Sequence, residues 1–498
     1  MNFSTRIVCI GDLAMGGNNP VRLQSMTNTD TIDTAATVEQ CLRLIEAGCE
    51  IVRISAPSVK AAKNLAVIKS ELLKKGFDTP LVADIHFNVQ AATEAAKIVE
   101  KIRINPGNFI GNKRFASRKE ELSEVSTKLH PLVEICRQHK TAMRIGVNHG
   151  SLSQSILHDY GNTAKGMVVS ALEYIELCRS ADFHQLVISL KSSNIRVMID
   201  AYRMLVLEMI RKGYDYPLHL GVTEAGDAED GRIKSAAGIG TLLMEGIGDT
   251  IRVSLTEDPV KEIPVARKIV EYANDDAKPK PTSYYKPVEE SLTIPFVLSD
   301  DEKSADVYVK DFKAIDPQGR EYPLLKESAR ESDQRILFKE YHTVNTEEFM
   351  VQAAMDFSPE LLAGRCQGIW LKGNEHITAQ LSVRTAFDIL QATGLRRWKT
   401  EYIACPSCAR TLFDIEEALQ EVKAATSHLK GLKIGVMGCV VNGPGEMADA
   451  DYGYVGAGKD KVNLYKGKQL IKKNIPRREA VRELTQLIHE HGDWQDGV

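Results

Sequence analysis

The chain has 498 residues, too many for one ordinary hydrophobic core, so two or three domains are expected. A composition of 43% hydrophobic and 26% charged residues is that of a soluble globular protein, and a formal charge of −4 without a Lys/Arg block gives no case for nucleic acid. No apolar run is long enough to span a bilayer. The opening Met1-Asn2-Phe3-Ser4-Thr5-Arg6 lacks the apolar core of a secretion signal, and lone cysteines such as Cys41, Cys49, Cys136 and Cys178 read as small hydrophobes, so a reducing, cytoplasmic setting is expected.

From residue 21 onward, short β-rich runs alternate with helix-length amphipathic segments. The strand candidates are 21–27, 50–55, 80–87, 101–106, 142–148, 186–192, 218–224 and 250–256. Between the first two, Leu42, Ile45 and Cys49 stand at helical spacing over 34–49, with Asp33 or Thr34 as N-cap. A second helix over 58–75 closes on Gly76, and Asn88 can cap a third over 89–101. Eight such units in about 250 residues have the rhythm of a (β/α)8 TIM barrel. A doubly wound sheet is the alternative, but it wants a Gly-rich loop after its first strand, and Ser25-Met26-Thr27-Asn28 is not one.

A helix begins at 264–273, and then the pattern breaks. Residues 274–286 are rich in Asp, Lys and Pro and read as a linker; strands at 304–314 and 334–341 and a helix at 346–355 follow. A helical segment returns at 382–393. The expected division is therefore 1–279 for the barrel, 280–385 for an inserted α/β domain and 386–498 for a C-terminal α/β domain. The insert carries only isolated Cys366, His342 and His376 and reads as a spacer or interaction domain. The last part closes on a helix at 478–491 with Leu484, Leu487 and Ile488 as its apolar stripe.

Barrel active sites lie at the C-terminal ends of the strands. Arg53, Arg103, Arg144 and Arg252 each sit between apolar neighbours on a strand, and strand six ends in Leu190-Lys191-Ser192. Side chains alternate along a strand, so if the neighbours pack outward the guanidinium groups face the lumen. Asp84 and His86 share a face of strand three but cannot neutralise four arginines. A diphosphate ligand would supply the missing charge; the alternative is that some of these arginines form ordinary ion pairs at the lower rim. Lys234 follows a Gly-rich turn after strand seven, where barrels often hold phosphate. Glu224 and Glu262 are the acid/base candidates, while Asn105, Asn148 and His149 could position a hydroxylated ligand.

Near the end stand Cys405-Pro406-Ser407-Cys408 and, after a βα-length excursion, Gly438-Cys439-Val440-Val441-Asn442-Gly443-Pro444-Gly445-Glu446. Three thiolates and a carboxylate suit an iron–sulfur cluster with one weakly held corner. A zinc site and unligated thiols are the alternatives.

These two motifs, together with Gln24-Ser25-Met26-Thr27, Ala83-Asp84-Ile85-His86-Phe87, Arg103-Ile104-Asn105-Pro106-Gly107-Asn108 and Arg144-Ile145-Gly146-Val147-Asn148, resemble the family of 4-hydroxy-3-methylbut-2-enyl diphosphate synthases, in its three-domain form. The resemblance implies reduction of 2-C-methyl-D-erythritol 2,4-cyclodiphosphate to the allylic diphosphate in isoprenoid biosynthesis. It implies a 4Fe-4S cluster on Cys405, Cys408, Cys439 and Glu446, substrate binding by Arg53, Arg103, Arg144, Lys234 and Asn148, and Glu262 as acid, with Asp84 and His86 close by. It further implies flavodoxin or ferredoxin as electron donor and a homodimer, since in two-domain members one subunit's cluster module covers its partner's barrel. A barrel transferase with a zinc-stapled tail, and an electron-relay protein, are the rival readings.

Overall fold

The computed structural model describes residues 3–496, apart from 112, 114, 116, 276–294, 300–304, 311–312, 316–320, 324–335, 367 and 442. Eight parallel strands form the barrel: Arg22–Met26, Ile51–Ser55, Leu81–Asp84, Lys101–Ile104, Ala142–Asn148, Leu186–Lys191, His219–Leu220 and Thr250–Ile251. Thr250 pairs with both Arg22 and His219, and a bridge from Ile188 to Leu218 closes the ring. The first six strands lie within the expected runs.

The last two do not reach their expected length. After Leu220 and Ile251 the backbone leaves the ladder and bonds across loops instead: Thr223 N–H to Ser192 O (3.3 Å), Thr256 N–H to Gly226 O (2.9 Å). Residues read as strand from sequence are thus spent on the barrel mouth.

Caps set the helix starts as expected. Asp33 accepts from Ala36 N–H ahead of helix Thr34–Glu46, Ser58 from Ala61 N–H ahead of Val59–Lys74, and Asn88 from Ala91 N–H ahead of Val89–Ala96. The third helix stops short of 101 because Lys101 opens the next strand. Val52, Ile54, Ile102, Ile104, Met143 and Ile145 join the outer core against these helices, so the arginines between them turn into the lumen.

A hairpin of Val8–Ile10 and Leu13–Met15 was not expected from sequence. Its Val8, Ile10 and Met15 cluster with Ile51, Val82, Ala142 and Val187, sealing the lower lumen with apolar side chains. Each strand is only three residues long, too short for alternation to stand out; Gly11-Asp12 at the turn, with Gly11 at φ +60, was the available signal.

The expected linker at 274–286 lies almost wholly outside the described residues. Beyond it, Phe296–Ser299, Ile336–Glu340 and Gly368–Lys372 run parallel in a six-stranded sheet with Val307–Lys310, Lys313–Ile315 and Glu321–Pro323. Helices Thr346–Leu362 and Ala379–Ala392 pack on the barrel rather than standing apart, and the second runs through the expected 385/386 boundary. Phe349, Met350 and Met355 share one apolar cluster with the barrel helices. Met355 fits because Gly240 has no side chain: a Cβ there would lie 2.4 Å from Met355 Cγ. Tyr272 and Tyr341 both donate to Asp356, at 2.7 and 2.9 Å.

The C-terminal sheet orders Glu401–Ala404, Lys433–Met437, Tyr452–Gly458, Lys461–Lys466 and Gln469–Pro476, with the first three parallel and the rest antiparallel. Helices Ile415–Thr426 and Arg477–Glu490 cover it, and Leu484, Leu487 and Ile488 are buried as expected. Among the described residues no helix is long and apolar enough to cross a membrane.

Truncating the plug should be costly. Ile10→Ala is expected to destabilise the protein by about 2–5 kcal/mol, seen as a lowered midpoint in denaturant unfolding.

Candidate active site

The C-terminal module sits as a lid over the barrel mouth of its own chain. Residue 404 ends the lid's first strand and bridges to Ala225, and Thr256 Oγ1 donates to the carbonyls of Ala404 (3.1 Å) and Cys405 (3.2 Å). Gln420 Nε2 donates to Asp227 (2.9 Å), which also pairs with Lys423, and Lys399 pairs with Asp230 at 2.6 Å. On the opposite side two glycines meet. A Cβ on Gly445 would lie 1.6 Å from Gly150 O, and one on Gly150 would lie 2.4 Å from Glu446 N. That approach delivers Glu446 to Asn148, whose Nδ2 donates to Glu446 Oε1 at 2.8 Å.

Two neighbouring parallel strands of the lid end at the seam, so Cys405 and Cys439 emerge side by side. Gly438 N–H donates to Cys405 Sγ (3.3 Å), and the turn carrying Cys408 is held by Cys408 N–H donating to Thr411 Oγ1 (3.0 Å). Cys405, Cys408, Cys439 and Glu446 line one cavity with Arg53, Arg103 and Arg144 of the barrel. Among the described residues no three His, Cys, Asp or Glu side chains converge on one point, as a single zinc ion requires.

The barrel wall is organised on Asp84, which is fully buried behind the arginines. Arg53 reaches it at 2.8 Å, Arg103 at 3.1 Å and His86 at 3.4 Å. Burial alone would raise the Asp84 pKa, but Arg53, His86 and Arg103 outweigh it and hold it well below the usual carboxylate range. His86 is driven down to about 3 by burial and by Arg410, against the pull of Asp84, so its ring is neutral at physiological pH. Arg103 also donates to Gly146 O (2.8 Å) and Asn148 Oδ1 (3.2 Å). Gly146 is required for this: a Cβ there would sit 2.3 Å from Arg103 Nε.

Arg144 is 1% exposed, and its Nε and Nη1 have no hydrogen-bond partner. Burial first, then Arg53 and Arg103, push its pKa down. Lys191, noted at the end of strand six, lines the same cavity, and its ammonium fits because Gly221 leaves room, where a Cβ would stand 2.5 Å from Nζ.

Glu224 is a buried non-glycine residue at φ +49, backbone strain of a kind that clusters at functional sites. Its carboxyl group lies beside that of Glu446. Burial raises both pKa values, most for Glu446, where the Glu224 charge adds to it. Glu224 lines the cavity, and its Oε2 has no hydrogen-bond partner.

Several expected site residues do not line the cavity; Asp84 lies behind its wall, and others are engaged elsewhere. Glu262 accepts from Ser25 Oγ (2.6 Å), Arg252 (3.1 and 3.2 Å) and Leu255 N–H (3.2 Å). With its oxygens so occupied it orients Arg252 and is not placed as an acid at the mouth. Lys234 lies on helix Ala228–Ser235 and pairs with Glu401 at 3.2 Å, because the lid's first strand covers that helix end. Asn105 and His149 serve local structure, through Ser151 Oγ (2.8 Å) and Asn162 O (2.9 Å). Arg410, on the lid, was missed; a lone arginine two residues past a cysteine pair carries no signal of its own.

The chain matches known proteins along its length. A family model described as the GcpE TIM-barrel domain covers residues 5–267, and one described as the GcpE protein C-terminal domain covers 401–490. A curated relative from Parabacteroides distasonis is 42% identical over 97% of this chain and 97% of its own length. One from Akkermansia muciniphila is 43% identical over 99% of this chain and 97% of its own. Both are named 4-hydroxy-3-methylbut-2-en-1-yl diphosphate synthase (flavodoxin), and their matches run through the inserted segment.

The glycine seam makes lid seating testable from the barrel side. Gly150→Ala, remote in sequence from the cysteines, is expected to leave the circular dichroism spectrum unchanged and to lower kcat/KM by about 100-fold, the penalty for displacing reacting groups by an ångström.

Proposed function

The chain belongs to the family of 4-hydroxy-3-methylbut-2-en-1-yl diphosphate synthases, and from that premise we propose how its cavity performs the family's reaction. The protein is an oxidoreductase of isoprenoid biosynthesis. It opens the ring of 2-C-methyl-D-erythritol 2,4-cyclodiphosphate reductively to give (E)-4-hydroxy-3-methylbut-2-enyl diphosphate, with flavodoxin named as the electron donor of its relatives. The substrate dianion takes up two electrons and one proton; a C–O bond to the ring phosphate and the C–OH bond on the adjacent carbon break, a C=C bond forms between the two carbons, water leaves, and the linear diphosphate carries one more negative charge.

The residues of the lid fit a 4Fe-4S cluster, with Cys405, Cys408 and Cys439 as thiolate ligands and Glu446 as the exchangeable fourth. When bound, the cluster supplies the electrons and a Lewis-acidic iron. Arg53, Arg103, Arg144 and Lys191 grip the diphosphate and offset the charge that grows on it as the ring opens. Asp84 aims Arg53 and Arg103, and Glu262 aims Arg252. Glu224, which lines the cavity and whose Oε2 has no hydrogen-bond partner, delivers the proton. The observation that carries this reading is the set of buried guanidinium groups, under-compensated by acids, facing three thiols across one cavity.

In this reading the segment 280–385 holds barrel and lid in register. Glu347 bonds Arg232 at 2.7 Å, and Arg384 of the helix that leads into the lid pairs with Glu229 at 2.6 Å. The site needs no second copy of the chain, so a homodimer is not required to complete it. A reducing, cytoplasmic setting keeps the thiols available to the cluster.

The test is anaerobic turnover of the cyclodiphosphate with an artificial reductant, monitored for the allylic product; absence of product from cluster-loaded protein would contradict the reading. Glu224→Gln should lower kcat by roughly 100- to 10,000-fold with little change in KM. Arg144→Ala should act mainly through KM, and Cys439→Ser should abolish the visible absorption of the reconstituted cluster.

A further inference from the structure

Arg410 belongs to the lid, yet its guanidinium lies in the cavity that the barrel forms. It follows Cys408 by two residues, ahead of helix Ile415–Thr426, and its side chain is only 14% exposed. It lies beside the Cys408 sulfur, and its nearest carboxylate oxygen, Asp84 Oδ2, stands 3.6 Å away. Asp84 is already engaged more closely by Arg53 and Arg103, at 2.8 and 3.1 Å. Nε and Nη1 of Arg410 are buried without a hydrogen-bond partner. Buried guanidinium donors of this kind need an acceptor, and the open side of Arg410 is the cavity.

The position on the lid gives this arginine a role the others cannot have. Barrel cations attract a diphosphate whether the lid is open or closed. Only a group carried by the lid makes contacts that exist in the closed state alone, and only such contacts turn ligand affinity into closure. Among the described lid residues lining the cavity, Arg410 is the one cation; the rest are thiols, Glu446 and small or apolar groups.

We propose that Arg410 is the lid's own ligand for the substrate diphosphate, lowering its two unsatisfied N–H groups onto a phosphate oxygen so that substrate binding and lid closure become one event. The inference rests on the cyclodiphosphate reading of the cavity. An arginine suits it better than a lysine because its planar fork can span phosphate oxygens.

The experiment uses anaerobic holoenzyme and measures hydrogen exchange of 405–413 and 148–151 with and without the cyclodiphosphate, alongside its binding constant by calorimetry. In the native protein the ligand should slow exchange in both segments. Arg410→Gln should bind at least tenfold more weakly and lose that protection, while Arg410→Lys should recover part of the affinity and little of the protection. An arginine that only held the lid's fold would lower the melting temperature and leave the ligand-induced protection intact. Binding within twofold of native with full protection in Arg410→Gln overturns the proposal and leaves the reading of the cavity standing. Failure of the native holoenzyme to bind the cyclodiphosphate overturns both.

Discussion

The structure depends on positive charge kept inside a barrel without enough negative charge to match it. Asp84 is one carboxylate against Arg53 and Arg103, and Arg144 beside them has no acid within pairing distance among the described residues. Burying an ion costs several kcal/mol unless it is paired, so a lumen of this kind persists only where a rigid scaffold holds it and a ligand completes it. The scaffold is visible in what surrounds the charges. Apolar side chains of the amino-terminal hairpin close the lumen from below, and the isoleucines and valines that alternate with the arginines anchor each strand to the outer helices.

The lid brings the opposite chemistry to the same cavity. Two adjacent strand ends present thiols, and the short helix Gly443–Glu446 presents a carboxylate that Asn148 receives. Contact at the seam is backbone on backbone, glycine against glycine, which leaves no slack in how the two halves register. The inserted segment bears on this because its two helices are packed into the barrel's own apolar cluster and hand the chain on to the lid. Barrel, insert and lid are thereby parts of one device, with cations on one wall and soft ligands on the other.

Much of this was legible in the residues. An arginine between β-branched neighbours on a strand has only one way to turn once those neighbours face the helices, so the charged lumen followed from a period of two. The cysteine spacing was equally plain. Strands seven and eight were overestimated because β-rich composition does not reveal which residues leave the ladder for the loops, among them the left-handed Glu224 and Thr256, whose N–H bonds Gly226 O. Glu262 and Lys234 stood at plausible places along the chain, but their partners, Arg252 across the helix start and Glu401 on the lid, are set by tertiary packing. Arg410 was hidden for the same reason: its meaning lies in the distance to Asp84, a residue more than three hundred positions earlier.

The central claim is that cations and thiols of a single chain face one another. It is tested most directly by subunit complementation: Arg103→Ala chains, defective in the barrel, are mixed or co-expressed with Glu446→Ala chains, defective in the lid, and assayed anaerobically. Assembly within one chain predicts that the mixture stays as inactive as either variant alone. Turnover restored to a level comparable with the native enzyme would mean that lid and barrel come from different chains, and would contradict the account.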